Sequence, residues 1–522
     1  MHPLSLDGRS SSNRTGKLFV SASLLYLALP NILFCLGWLR PGPALLAIAA
    51  ILFLLVRLMR QNQLTSSCNR RTWVRHVLLM ILALVWIMST GIVGNVFQQH
   101  DFIVRNALFA TLVRCDWPLT LPDSSYYVYY LASWLPPAIV ARIHPIGSFP
   151  FYCLGAWCYA GVLLMCFLMD RKLGRLSPLF LLLLIFTGSA GDWFAGTDIL
   201  PYAHPFMCFF SMGSSAQLQS TFHHVIPVWI VLALYFSGAL SWRHSVCASA
   251  FVLLVSPLGS IGLAVFFLFV LVWDRKKAAE NIVALVREPA FFCGGLLAVF
   301  AAAYFLSSNE GSSFQWVWEK LRNYSSGQVG QAILFAWGWN ICLILILAIV
   351  MKQLRNHLVW YVLGMLALLP LFYVGTSNNE LFFKAACVPY WILALLLTQW
   401  MGQSNRKKKL CILVFVLLSA GGMIRMLYIC YLAVQRPEAN KLQLEWQWHL
   451  YHPEHEWYSR FRGNTKIPQL FYTEAGASSQ TLLFWSRRDN RSDRELLPPP
   501  SPWTGREMPP PQPAPSDDKQ EK

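Results

Sequence analysis

Charge is what this sequence has least of. Asp, Glu, Lys and Arg make up 13% of its 522 residues, where a soluble globular chain carries roughly 25%. With 56% apolar residues and a mean hydropathy of +0.44, that deficit excludes a soluble enzyme and a disordered chain. Metal or disulfide patterning is missing as well. The thirteen cysteines form no C-x-x-C pair and no Cys/His metal spacing. Those inside apolar runs, such as Cys153, Cys158, Cys293, Cys342 and Cys387, read as small apolar fillers rather than a disulfide scaffold. Ionisable residues are nearly absent from the apolar runs, apart from Lys384 and Arg425 near the ends of the last two. Pumps and coupled transporters keep such groups in their spans, so their scarcity argues against both. No internal repeat points to a transporter of two related halves either.

What is there is a series of long apolar runs. Crossing a hydrocarbon core takes about 20 residues, and suitable runs lie near 18–37, 44–59, 76–94, 149–169, 177–190, 225–241, 245–257, 259–273, 290–307, 331–351, 358–374, 383–401 and 410–430. The expected fold is an all-α, polytopic bundle of about thirteen spans. The short pair divided at Ser256-Pro257 also reads as one broken helix. Residues 126–141, aromatic and carrying Pro136-Pro137, read as a helix lying in the outer interface. No A-x-A-like site follows the first run, which predicts an uncleaved first span.

Placing the N-terminus inside puts 22 Lys and Arg on inner loops and seven on outer loops before residue 430. Basic loops stay on the inner face, so the expected orientation is N-in with the C-terminal segment outside. The net charge of +17 then reports topology, and no nucleic-acid partner is expected. Residues 1–17 form the inner tail, 18–430 the membrane domain, and 431–488 a small outer cap. The stretch 489–522, Pro-rich in LPPPSPW and MPPPQPAP, buries too little apolar surface to fold.

Polar chemistry gathers in the outer loops, 95–148, 190–224, 308–330 and 375–384. In the first, residues 101–113 have helical spacing, with Ile103, Ala107, Phe109 and Leu112 on an apolar face. Asp101 opens it and Arg105 follows one turn later, a spacing at which the two can pair. A carboxylate there can serve as a general base on an acceptor hydroxyl, hold a divalent cation, or simply cap the helix. Asp116-Trp117-Pro118 reads as a turn. Loop 190–224, rich in Gly, Ser and aromatics, is either a sugar-binding lid or an interfacial anchor, and its His224 opens the next span as a structural or catalytic group. In GTSNNELFFK, Asn379, Glu380 and Lys384 sit within about one helical turn. Lys384 either binds a lipid-linked phosphate or snorkels to the headgroups. In the tail, His449, His452 and His455 have three-residue spacing, but Pro453 breaks a helix there and argues against zinc.

Three stretches together resemble the GT-C superfamily, multi-span glycosyltransferases that use polyprenyl-phosphate-linked sugars on the outer face. HDFIVRNALFATLVRCDWP with YYLASWLPP is similar to the acidic first outer loop with its two juxtamembrane helices. QSTFHHVIPVWIVLAL with SPLGSIGL resembles an outward-facing loop entering a span. TSNNELFFKAACVPYWIL resembles an Asn-Asp…Arg…Pro run, with Glu380 and Lys384 at the acid and base positions. The resemblance implies that Asp101 is the catalytic acid/base. It implies that Arg105, His224, Lys384, Glu380 and Asn379 bind the donor phosphate or substrate. Inverting transfer to an envelope glycan or lipid, with membrane lipids as surroundings, is the activity it implies. Here the acidic loop follows the third apolar run rather than the first, and His100 precedes Asp101 where many members have a second acid. A divalent cation therefore stays open as cofactor.

Two other readings compete. A polysaccharide polymerase or ligase relies on outer-loop arginines, and loop 190–224 has no Arg or Lys. A lipid-linked saccharide flippase needs charge along its central cavity, which the apolar runs lack.

Overall fold

A computed structural model of the protein describes residues 9–61, 70–96, 98, 101–119, 128–145, 147–188, 205–209, 211–273, 275–307, 314–375 and 379–403, with scattered helical positions between 409 and 431. These all fall within Met1–Ala475, the first of two units of the chain. Residues 432–522, with most of the expected cap, the Pro-rich stretch and the His449, His452 and His455 triplet, lie outside the described residues.

The apolar runs fold as helices, which satisfy their backbone N–H and C=O groups internally. The first two, α1 (Arg9–Trp38) and α2 (Pro41–Arg60), form a hairpin. Pro41 opens α2 at a position where a missing N–H costs nothing. Next come α3 (Arg70–Ser89), α4 (Asp101–Arg114) and short α5 (Leu135–Ala141). Then α6 (Phe149–Leu173) and α7 (Ser177–Phe186) divide one apolar stretch at Gly174, whose φ of 53° favours glycine. A single turn, α8 (Phe206–Phe209), precedes α9 (Ser214–Phe236), which is kinked at Thr221. The sequence placed a loop up to residue 224, but helix begins ten residues earlier, at Ser214.

Residues 242–273 are where the expected pair of short spans takes shape. α10 (Trp242–Ala248) and α11 (Pro257–Trp273) are legs of a hairpin. Trp242 donates its indole N–H to the Phe267 carbonyl (3.1 Å), tying the legs near their open ends. The tip at Ser256-Pro257 meets His224, about midway along α9. Ser256 accepts the Gly259 N–H (3.2 Å), so Ser-Pro here is an N-cap followed by a first-turn proline.

The chain continues as α12 (Arg275–Val286), α13 (Pro289–Leu306), α14 (Val317–Leu321), α15 (Ser326–Ala332), α16 (Trp339–Val350), α17 (His357–Leu368), α18 (Glu380–Ala385) and α19 (Cys387–Gln403). One feature departs from the expected all-α class. β1 (Phe314–Trp316) pairs antiparallel with β2 (Phe372–Val374), Gln315 opposite Tyr373. Aromatic side chains favour such a pairing, and Trp316 and Phe372 lie 5.0 Å apart between ring centroids.

Among the described residues, seven helical stretches are long and apolar enough to cross a membrane: Gly16–Trp38, Pro41–Arg60, Thr72–Ser89, Phe149–Phe186, Ser214–Phe236, Pro289–Leu306 and Glu380–Gly402. Four more apolar helices among them are shorter: Ala132–Ala141, Pro257–Trp273, Asn340–Val350 and His357–Leu371. Ala132–Ala141 covers the segment expected in the interface, yet Leu131, Trp134, Leu135, Ala138 and Ala141 are buried. The outermost faces of the long helices remain apolar, as at Leu45, Val85 and Val299, which suits a lipid surround.

Basic residues from distant loops meet at one end of the bundle. Arg57 of α2 forms a two-point pair with Glu288 at the start of α13 (2.8 and 3.3 Å), and that hydrogen bonding holds the Glu288 carboxyl below the usual range. Arg75 of α3 pairs in the same way with Asp170 of α6 (2.9 and 3.2 Å). Asp170 also accepts from the Ser177 hydroxyl (2.5 Å) and lies 3.3 Å from His76 Nε2. This carboxylate, 4% exposed, locks α3 to the α6–α7 elbow. Asp170→Ala leaves Arg75 without its counter-charge, and losing one partner of such a buried pair costs about 3–5 kcal/mol. The purified variant is expected to melt well below the parent in detergent. An unchanged melting temperature would show that water replaces the carboxylate at no cost.

Candidate functional site

At the other end of the bundle, five segments converge. The first is α4, whose Phe102, Leu108, Phe109, Leu112 and Val113 are buried and seat it on the bundle. Its C-terminus is held by Arg142, whose guanidinium donates to the Leu112 and Cys115 carbonyls (3.2 and 2.5 Å) and stacks over Trp117 (4.6 Å). Arg105 projects from α4 and is 8% exposed. Asp101 is the first residue of the helix, one turn before Arg105. Its side chain, like those of Ile103 and Ala107, lies outside the described residues.

The second segment is 128–134. Tyr304 of α13 fixes it, accepting the Tyr129 N–H (3.0 Å) and donating to the Tyr129 carbonyl (2.9 Å). Burial pushes the Tyr129 phenol up to about 12, against the opposing pull of Arg105 and Lys384. The group is therefore a neutral hydroxyl at physiological pH.

The third and fourth are α9 and the α10–α11 hairpin tip. His223 and His224 are buried, with ring centroids 4.2 Å apart. Trp134 lies 5.3 Å from the His223 ring and Tyr130 lies 4.6 Å from the His224 ring. Ser256 Oγ lies 3.0 Å from Nδ1 of His224. Ser256 Oγ also accepts the Gly259 N–H, and with one proton and a second lone pair left it pairs with either tautomer of His224.

The fifth is α18. Asn379 caps it, accepting the Phe382 N–H (3.2 Å) and donating to the Phe372 and Cys208 carbonyls (2.9 and 3.2 Å). Its amide orients the helix. Gln217 of α9 donates to the Phe383 carbonyl (3.1 Å) and ties the two helices. Lys384 is 8% exposed and turned inward. Its Nζ lies 2.7 Å from Glu380 and 4.7 Å over the Tyr130 ring. α11 approaches α18 closely because Gly262 has no β-carbon, and one there would meet the Ala385 carbonyl at 2.8 Å. Gly262→Val overpacks this contact by about 1–3 kcal/mol, and a lower melting temperature in detergent is the expected result. No change would mean that α11 can shift freely.

Arg105, Glu380 and Lys384 are thus gathered around His223, His224, Tyr129 and Tyr130. Arg105 and Lys384 both act electrostatically on Tyr129 and on the two imidazoles. Among the described residues, neither ring nitrogen of His223, nor Nε2 of His224, Oε1 of Gln217 or Nε2 of Gln219 has a hydrogen-bond partner. Buried polar groups are almost always bonded, and these are the side chains with bonding capacity to offer a polar ligand. Two cations and one carboxylate, with neutral donors around them, suit an anion. Among the described residues no three His, Cys, Asp or Glu side chains gather to hold a metal ion.

From sequence alone no site role fell to Tyr130, Trp134, His223 or Ser256, although His223 was visible beside His224 and Ser256 at the break before Pro257. The signals were present in the YYVYY run and in the Ser-Pro of SPLG, a helix cap inside an apolar stretch. The chain matches no protein-family model, and no curated protein and no solved structure shows significant similarity to it.

Proposed function

We propose that this chain is a membrane glycosyltransferase of the GT-C type, moving a sugar from a polyprenyl-phosphate donor to an envelope glycan or lipid acceptor. The reading includes about thirteen spans, an inner N-terminus, and a site on the outer face of a bacterial plasma membrane. The observation that carries it is the convergence of Arg105, Lys384 and the His223–His224 pair in one buried, net-positive cluster, which suits a phosphate leaving group. The basic loops at the opposite end of the bundle support the orientation.

In this mechanism Asp101 takes the proton of an acceptor hydroxyl. The acceptor oxygen attacks the anomeric carbon from the face opposite the phosphate, and the bond from that carbon to the phosphate oxygen breaks with inversion. Polyprenyl phosphate departs as an anion, its charge held by Lys384 and Arg105, with His224 beside them. Glu380 tethers Lys384, and Asn379 fixes the helix that carries both. The prenyl chain lies between apolar helices.

The test compares lipid-linked and surface glycans of a deletion strain with those of the complemented strain. It also asks whether the purified protein transfers sugar from a polyprenyl-phosphate donor. Loss of one sugar from the mature glycan, with transfer by the purified protein, is the expected result. An unchanged glycan profile would defeat the reading. Accumulation of complete lipid-linked saccharide, with no transfer in vitro, would favour a flippase.

A further inference from the structure

The basic end of the bundle carries a second feature, independent of the outer site. An open groove of about 630 Å³ lies between α10 and the α12–α13 turn, lined by Arg243, Glu280, Val283, Arg287 and Glu288, with two alanines of α12. Glu288 is engaged by Arg57. Arg243 and Arg287, both exposed, have no ion-pair partner among the described residues. Glu280 has none either, so the groove keeps a net positive charge.

The wall of this groove continues into an apolar stripe. Ala279, Ile282, Val283 and Val286 recur on α12 at helical spacing. The three larger ones are 47%, 47% and 46% exposed, on a helix that also presents Lys276 and Lys277. A helix with an exposed apolar stripe beside cationic side chains lies in a membrane interface, and a basic pocket next to it fits a phosphate-bearing headgroup.

We propose that this groove binds an anionic phospholipid, its phosphate between Arg243 and Arg287 and its acyl chain along Ile282, Val283 and Val286. A free phosphate would use the same arginines but not the stripe. A zwitterionic lipid would use the stripe but gain less from the charge. Glu280 opposes the ligand, so its removal has a predicted sign opposite to that of the arginines.

The experiment is native mass spectrometry of the full chain in detergent, titrated with phosphatidylglycerol or phosphatidylcholine. It uses the parent, the double variant Arg243→Gln/Arg287→Gln, and Glu280→Gln. Phosphatidylglycerol is expected to be retained preferentially by the parent and on the order of tenfold less by the double variant. Glu280→Gln is expected to retain more. Both arginines are exposed and unpaired, so the double variant is expected to melt with the parent in phosphatidylcholine micelles, which separates lost binding from lost folding. Equal retention of the two lipids by the parent would overturn the proposal. So would unchanged retention in the double variant, or displacement of the lipid by excess inorganic phosphate. None of these outcomes bears on sugar transfer, so the two readings stand or fall separately.

Discussion

Lys384→Met is expected to reduce kcat/KM for sugar transfer on the order of 10²–10³-fold, the usual loss when a preorganised charge on a developing anion is removed, while the fold survives. The side chains are similar in length, and the abandoned partner tolerates the change. The Glu380 side chain is 38% exposed, against 9% for Lys384, so water can solvate its carboxylate. Glu380→Gln is the informative contrast. It strands a buried ammonium, and breaking a buried pair from that side costs about 3–5 kcal/mol, reduced here by the exposure of the acid. The pair of variants should therefore split, Lys384→Met losing activity at near-parent melting temperature and Glu380→Gln losing stability first. Kinetics and thermal melts on the same purified preparations would show it. If Lys384→Met retains full transfer, the ammonium is only a structural partner of Glu380 and the phosphate role is lost.

Asp101→Asn should have the larger effect on the chemical step, since a positioned general base contributes about 10²–10⁴-fold. The substitution keeps size and shape at the first residue of α4, and the Arg142 clamp at the far end of that helix is untouched. It removes the ability to accept a proton. The variant is expected to melt with the parent and to lose rate in single-turnover transfer, which kinetics on both purified proteins would show. A variant that keeps the parent's rate would move the base elsewhere, and the surface glycans of the complemented deletion strain would then be normal.

Much of this arrangement was legible before folding. Apolar runs of about 20 residues announce helices long enough to cross a membrane, and the structure has such helices; the basic loops around Arg57, Arg75, Arg171, Arg243 and Arg287 fall where residue order puts them, at one end. Helical spacing also placed Asp101 and Arg105 on one helix, and Glu380 and Lys384 on another. Local rules suffice there, because cap, charge and period act within a turn or two of chain.

Other features needed the tertiary structure. Apolar periodicity says little about which face of a span points inward when nearly every face is apolar. Nothing local could show that Lys384 would reach Tyr130, 254 positions earlier in the chain, or that Arg105 would act on His223. The α10–α11 hairpin is the clearest case. Its two short runs read equally as two spans or one broken helix. Packing decides between them: Ser256 finds His224, and Gly262 lets α11 lie against α18. The β1–β2 pairing likewise joins segments some 58 residues apart, a contact no window of sequence contains. Local pattern thus fixes the apolar helices, several of them long enough to cross a membrane, and the order of the basic loops between them. Which buried polar side chains meet is set by packing, because in a chain this apolar the few polar groups come together through long-range contacts that no local pattern marks.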